Sequence, residues 1–326
     1  MTYCYVCPHR CGVDRAETMN SPNGIFGSCG CGMQPIVARA ALHMWEEPCI
    51  SGTKGSGTVF FSGCNLHCAF CQNYEISCLN KGQEISVERL KEIYFDLIKQ
   101  GAHNINLVTA THFTEAIIAS LQEPLPVPVI YNTSGFETVD TIHRLKNKIQ
   151  IWLPDLKYSD DLAAIKYSNA PNYFNTATTA IKTMYKQVGP YQIDENGLLK
   201  SGVIIRHLLL PNMLENTLRV IDWIADNFEP GQVLFSLMHQ YIPCGRAAEY
   251  PEINRVVTAE EYQKVEQYLF NSGIEDGFVQ EDTAASADFI PIFDGTGLSL
   301  VDKDFIILYY KNIIMNIERT LERMKN

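Results

Sequence analysis

From Val59 to Gly273 the chain alternates short apolar runs with stretches of helical spacing six times, and this pattern narrows the possible folds more than any other feature. The runs are Val59-Phe60-Phe61, Ile105 to Val108, Pro126 to Tyr131, Ile149 to Leu153, Val203 to Leu209 and Val233 to Leu237. Between them lie helical stripes. Residues 86–100 repeat apolar positions at Val87, Leu90, Ile93, Tyr94, Leu97 and Ile98, with Ser86 as a cap and Gly101 as a stop. Further helices are expected over Thr114–Leu121, over one region from Asp160 to about Lys186, and over Glu215–Asn227. A last one starts at the capping box Thr258-Ala259-Glu260-Glu261 and closes at Gly273. Strands alternating with helices imply a parallel sheet with right-handed crossovers. Six such units suit a partial (β/α)6 barrel in the α/β class, whose reactive groups gather at the C-terminal strand ends.

The residues just past each run fit that placement. They are Cys64–Cys71, Thr109-Ala110-Thr111-His112, Asn132-Thr133-Ser134-Gly135, Asp155-Leu156-Lys157, Leu210-Pro211-Asn212 and His239-Gln240. Residues 1–50 differ in character, being rich in glycine and cysteine with little periodicity. Three parts are therefore expected: a Cys-rich metal-binding segment over 1–50, a barrel over 51–298, and a C-terminal helix over 299–326. The helix carries Phe305, Ile306, Tyr309, Ile313, Ile317, Leu321 and Met324 at helical spacing and is expected to pack on the barrel.

Eleven cysteines occur in 326 residues, ten of them in the first quarter of the chain. In a reducing compartment such clustering points to metal binding rather than disulfides. Cys64, Cys68 and Cys71 follow the first strand at spacing C-x3-C-x2-C, with Phe70 before the last thiol. Thiolates select zinc or iron–sulfur clusters. A structural zinc prefers paired C-x2-C units and four protein ligands, and Cys78 is the fourth thiol available to it. A [4Fe–4S] cluster held by three thiolates keeps one iron open, and the spacing favours this reading. Cys4, Cys7, Cys11 and Cys29 form a second set of four, enough for a zinc or a second cluster, with Cys31 and His9 to spare. Cys49, Cys78 and Cys244 are expected as small buried apolar residues.

The cysteine triplet resembles the signature of the radical S-adenosylmethionine (SAM) enzymes. The wider run Glu46-Glu47-Pro48, Ser51 to Thr58, Gly63-Cys64-Asn65 and Cys71-Gln72-Asn73 resembles the pyruvate formate-lyase activating enzyme-like proteins, closest to the PflX-type subgroup. The early Cys4, Cys7, Cys11 and Cys29 fit that subgroup, and the resemblance extends to about residue 298. It implies that Cys64, Cys68 and Cys71 hold a [4Fe–4S] cluster. It also implies SAM contacts from Asp155 and Lys157 of an Asp-Leu-Lys motif, from His239, from Asn132 and Ser134, and from Arg206, with Phe70 near the adenine. The Gly-Gly-Glu-Pro of that family is absent, and Thr109-Ala110-Thr111-His112 stands in its place, so Thr109 is the residue expected near the SAM ammonium. Reductive cleavage of SAM to a 5′-deoxyadenosyl radical, followed by hydrogen abstraction, is the implied chemistry. An external flavodoxin- or ferredoxin-type electron donor is the implied partner, and a glycyl-radical enzyme is the implied target.

Plainer readings stand beside these. Asp155 and Lys157 suit an ordinary ion pair, Phe70 suits core packing, and His239 suits a structural histidine. A radical SAM enzyme acting on another substrate, or a non-catalytic iron–sulfur or zinc protein, are the alternative functions. Net charge is −11 with no Lys/Arg-rich run, which argues against nucleic acid as a partner. The N-terminus lacks the basic and apolar regions of a signal peptide, and no apolar run reaches membrane-spanning length. The expected location is the cytoplasm.

Overall fold

The computed structural model describes residues 3–15, 26–280 and 290–299. Its strands in chain order are β1 (Ile36–His43), β2 (Ser56–Phe61), β3 (Gln83–Glu84), β4 (Ile105–Val108), β5 (Val129–Thr133), β6 (Ile151–Pro154), β7 (Gln192–Ile193), β8 (Leu199–Leu208), β9 (Leu234–Met238) and β10 (Gly277–Val279). Among the described residues β2, β4, β5, β6, β8, β9 and β10 pair side by side, all parallel and in chain order. β1 runs antiparallel along the free edge of β2, and among the described residues no strand pairs with the outer edge of β10. The sheet is therefore open, and it curls so that residues of every parallel strand or its end border one cavity. This is a partial α/β barrel with a Cys-rich N-terminal extension.

Helices cover the outer face. Residues Val87–Lys99 bury Leu90, Ile93, Tyr94 and Leu97, and the Ser86 side chain accepts from the Arg89 N–H at the start. Burying those four residues contributes on the order of 2 kcal/mol each. Residues Leu214–Asn227 bury Val220, Ile221 and Ile224, and Ala259–Phe270 starts at the reciprocal Thr258–Glu261 capping box. Trp152, Tyr131 and Phe235 fill the core with Leu107 and Val203.

Three expectations need adjusting. The single helical region from Asp160 to Lys186 is two helices, Asp161–Ser168 and Tyr173–Val188. Asn169 and Asn172 take left-handed conformations around Pro171, a break that Asn tolerates better than most residues. The strand expected over 126–131 begins at Val129, because Pro126 and Pro128 lack the N–H a central strand must donate. β10 is a seventh parallel strand that three residues, one of them glycine, do not announce. The apolar stripe from Phe305 to Met324 lies outside the described residues.

The segment 290–299 returns across the barrel to β1. The Ala40 N–H donates to the Thr296 carbonyl, and the Gly295 N–H donates to the Ala38 carbonyl. Arg39 pairs with Asp294 at 3.2 Å.

Candidate functional site

The loop from Gly63 to Asn73 leaves β2 and carries the cysteine triplet over the open end of the sheet. Gly63 has φ +81°, and a Cβ there would run into the Cys31 sulfur and stand 2.8 Å from the Cys29 carbonyl. Only glycine allows the N-terminal segment to press against this turn. The segment is tied down further: His9 Nε2 meets the Asn65 carbonyl at 2.7 Å and His67 Nε2 meets the Ser28 carbonyl at 2.5 Å. Arg15 donates to the carbonyls of His112 and Gly32, and the Thr141 hydroxyl donates to the Val6 carbonyl at 2.6 Å.

Cys64 and Cys68 are buried and Cys71 is half-buried. Burial pushes the Cys64 and Cys71 thiols up to about 12 and raises Cys68 as well, while Lys157 opposes the rise at Cys68. Each sulfur has a donor. The Leu66 N–H points at Cys64 at 3.3 Å, the Ser168 hydroxyl at Cys68 at 3.0 Å, and the Ser77 hydroxyl at Cys71 at 3.3 Å. These donors favour thiolates, the form that binds iron. Cys78 sits on the other side of Ser77, 3.5 Å from its hydroxyl, and does not border the cavity.

The cavity has a volume of about 580 Å³, ample for a nucleoside-sized ligand. Cys64, Cys68 and Cys71 line it, and no other cysteine does. Phe70, Thr109, Asn132, Ser134, Asp155, Lys157 and Arg206 line it too. Eight polar or aromatic positions were singled out from the sequence, and seven of them meet here. The eighth, His239, is buried beside the cavity with its ring stacked on Tyr262 at 3.8 Å. Phe70 packs edge-on against Tyr241, with centroids 5.9 Å apart. Thr109 holds φ +60°, an uncommon conformation for a β-branched residue, and its N–H donates to the Asn132 carbonyl. Gly135 has φ +77°, and a Cβ there would meet the Asp155 carbonyl, so it lets the strand ends of β5 and β6 come together.

An ion network crosses the cavity wall. Lys157 Nζ lies 2.5 Å from Asp155 Oδ2, and Arg206 Nε lies 3.0 Å from Asp155 Oδ1. The same guanidinium reaches Glu46 at 3.2 Å and the Asn132 side-chain oxygen at 2.6 Å. Burial opposes charge on Asp155, yet Lys157 and Arg206 overcome it and hold the carboxyl below its usual range. Burial likewise opposes charge on Lys157, and Asp155 outweighs it. Burial pushes Glu46 and Glu47 up. Both come from the turn after β1, and the sequence reasoning did not place them in the site. The available signal was two adjacent acids in an otherwise apolar stretch ahead of Pro48.

Cys4, Cys7 and Cys29 are buried and Cys11 is half-buried, close to the Gly63 turn. Among the described residues no three His, Cys, Asp or Glu side chains converge tightly enough to hold a single metal ion. A tetrahedral ion needs sulfurs within about 4 Å of one another, given Zn–S bonds of about 2.3 Å. A cubane cluster spaces its thiolates more widely, and the donor set at Cys64, Cys68 and Cys71 fits it chemically. Among the described residues no helix is long and apolar enough to cross a membrane.

Residues 51–149 match the family model of the 4Fe-4S single cluster domain. The chain belongs to the same family as the uncharacterized protein MJ0674 of Methanocaldococcus jannaschii. It is 31% identical to that protein over 273 residues, covering 80% of this chain and 72% of the other. Among solved structures it is similar to SuiB of Streptococcus suis bound to the precursor peptide SuiA, with a TM-score of 0.46 and 12% identity. That likeness covers 67% of this chain and 46% of SuiB, so the chain spans about half the length of that protein. It is also similar to methylornithine synthase (PylB), with a TM-score of 0.44, 15% identity, and coverage of 66% and 68%.

Proposed function

We propose that this chain is a radical SAM enzyme. The observation that carries the reading is the shared cavity, in which three thiols with no fourth cysteine face the Asp155–Lys157–Arg206 network. A closed electron-transfer site would need a fourth protein ligand and no adjoining ligand pocket. Cys64, Cys68 and Cys71 would hold a [4Fe–4S] cluster. That cluster supplies one-electron cleavage of SAM to methionine and a 5′-deoxyadenosyl radical able to take hydrogen from a substrate.

The protein's own groups bind and orient. Lys157 spends one of its three donors on Asp155 and offers the rest to a ligand carboxylate. Arg206 gives three of its five donors to Glu46, Asp155 and Asn132, which stiffens the wall that presents Lys157 and leaves two donors at the cavity for the ligand. Thr109, Asn132 and Ser134 place polar atoms at the cavity edge, and Phe70 offers an apolar face to the adenine. His239 supports the same end of the barrel through Tyr262.

The substrate assigned by this reading is a glycyl-radical enzyme, on the resemblance to activating enzymes. The donor is a flavodoxin or ferredoxin in the cytoplasm. A second metal at Cys4, Cys7, Cys11 and Cys29 is not part of the proposal.

Anaerobic reconstitution, reduction and addition of SAM test it through 5′-deoxyadenosine. Product that disappears in Cys68→Ala supports the reading. No product from a protein holding about four irons per chain sinks it. Transfer of deuterium from a candidate partner into 5′-deoxyadenosine tests the activase role, and its absence points to a different substrate.

A further inference from the structure

Glu47 enters the cavity from the turn between β1 and the short helix Pro48–Ser51. The residue is 9% exposed and borders the cavity, and among the described residues its Oε2 has no hydrogen-bond partner. The Ser236 hydroxyl, also at the cavity, favours the ionised carboxyl. An acceptor buried without a donor is unfavourable, and more so when it carries charge.

The Arg206 charge offsets its burial in part, but the neighbouring donors are directed elsewhere. Arg206 donates to Asp155 at 3.0 Å, to Glu46 at 3.2 Å and to Asn132 at 2.6 Å. Lys157 is paired with Asp155 at 2.5 Å. Glu46 takes a further bond from Asn106 at 2.9 Å. The cavity lining thus holds three carboxylates, Glu46, Glu47 and Asp155, against two permanent cations, Arg206 and Lys157. Among the described residues Glu47 makes no direct ion-pair contact, although the Arg206 charge acts on it. An acceptor oxygen without a donor, walled by protein and open to a cavity, is complementary to a compact cation that carries N–H donors.

We propose that Glu47 anchors an ammonium subsite in this cavity, its free carboxyl oxygen accepting a hydrogen bond from a primary ammonium group of the bound ligand. Under the function proposed above, that group belongs either to the methionine end of SAM or to an amine of the substrate. The second source does not depend on SAM. Ser236 orients the carboxylate from β9, and Glu46 with Arg206 closes the wall behind it.

Equilibrium dialysis of the reconstituted full chain tests the proposal with three probes. They are SAM, its desamino analogue with hydrogen in place of the amine, and n-butylammonium compared with neutral n-butanol, with and without SAM. Wild type is compared with Glu47→Gln, which keeps the shape and removes the charge. If SAM supplies the group, wild type binds SAM about tenfold or more tightly than the desamino analogue, and Glu47→Gln erases the difference. If a substrate supplies it, SAM affinity is equal in the two proteins. Wild type then prefers n-butylammonium over n-butanol, and Glu47→Gln loses that preference. A wild-type protein that discriminates neither pair overturns the proposal without any variant being needed. Discrimination that survives in a folded Glu47→Gln protein overturns it as well. Should wild type bind no SAM, the radical SAM reading falls, and the n-butylammonium comparison still decides the role of Glu47.

Discussion

Arg206 Nε stands 3.0 Å from Asp155 Oδ1, joining the fifth parallel strand to the end of the fourth at the wall of the cysteine-lined cavity. The backbone repeats the link, since the Leu156 N–H donates to the Arg206 carbonyl at 2.8 Å. Lys157 completes the cluster from two residues beyond Asp155.

Replacing Asp155 with asparagine strands two buried cations. Breaking a buried pair from one side costs about 3–5 kcal/mol, so Asp155→Asn is expected to lower unfolding free energy by about 3 kcal/mol in denaturant titrations. Lys157 and Arg206, against the opposing effect of burial, hold Asp155 below its usual value. Its contribution is therefore complete above the unfolded value of about 4 and fades as pH falls through the lower folded value. Asp155→Asn should flatten the acid limb of the stability curve. An unchanged limb would show that other carboxyls set it.

Glu137 behaves in the opposite sense. It is buried and accepts from the Thr111 and Thr133 hydroxyls at 2.5 Å each, while among the described residues its Oε2 has no hydrogen-bond partner. Burial pushes its carboxyl up to about 7, outweighing those two donors. The folded state then holds a proton that the unfolded chain has released. Stability from this group is full below the unfolded value of about 4.3 and is lost as pH rises toward about 7. Glu137→Gln is expected to be relatively more stable than wild type at pH 8 than at pH 4, by thermal unfolding across that range. Parallel curves for the two proteins would contradict this.

Cys68 takes a hydrogen bond from Ser168 and feels the charge of Lys157. Cys68→Ala is expected to drop bound iron well below about four per chain and to abolish the visible iron–sulfur absorbance. Ser168→Ala is the milder test: it should retain iron and shift the reduction potential to a more negative value, because a bond stabilising the sulfur charge is gone. Iron retained in full by Cys68→Ala would remove this residue from the ligand set.

The Gly63 turn couples the N-terminal segment to the cysteine loop. Gly63→Ala puts a Cβ against Cys31 and forces an L-residue to φ +81°. A loss of about 1–3 kcal/mol is expected, with easier proteolysis of residues 3–15. Equal stability and equal proteolysis would mean the segment docks independently of this turn.

Much of the architecture was legible in the chain. Strand and helix periodicities alternate because a parallel strand buried on both faces and a helix covering it demand different repeats. That logic placed six of the seven parallel strands and most of the covering helices. It missed β1 and β10. The alanines of Ile36–His43 and the glycine of Gly277–Val279 carry little apolar contrast, and both strands exist because a neighbouring edge accepts them. The Asn169–Asn172 break was written in local turn chemistry and hidden by the apolar stripe on either side.

The cavity divides in the same way. By itself the sequence determined the thiol spacing, the polar residues at the strand ends and the order in which the strands line up, because all of these follow from short-range pattern. Tertiary structure alone decided that Glu46 and Glu47, outside the barrel pattern, reach its interior. It also decided that Arg206 spends its donors on Glu46, Asp155 and Asn132, and that His239 turns onto Tyr262. A charge's partners depend on which distant segments share its burial, and that is settled only when the sheet curls and the turn after β1 folds in against it.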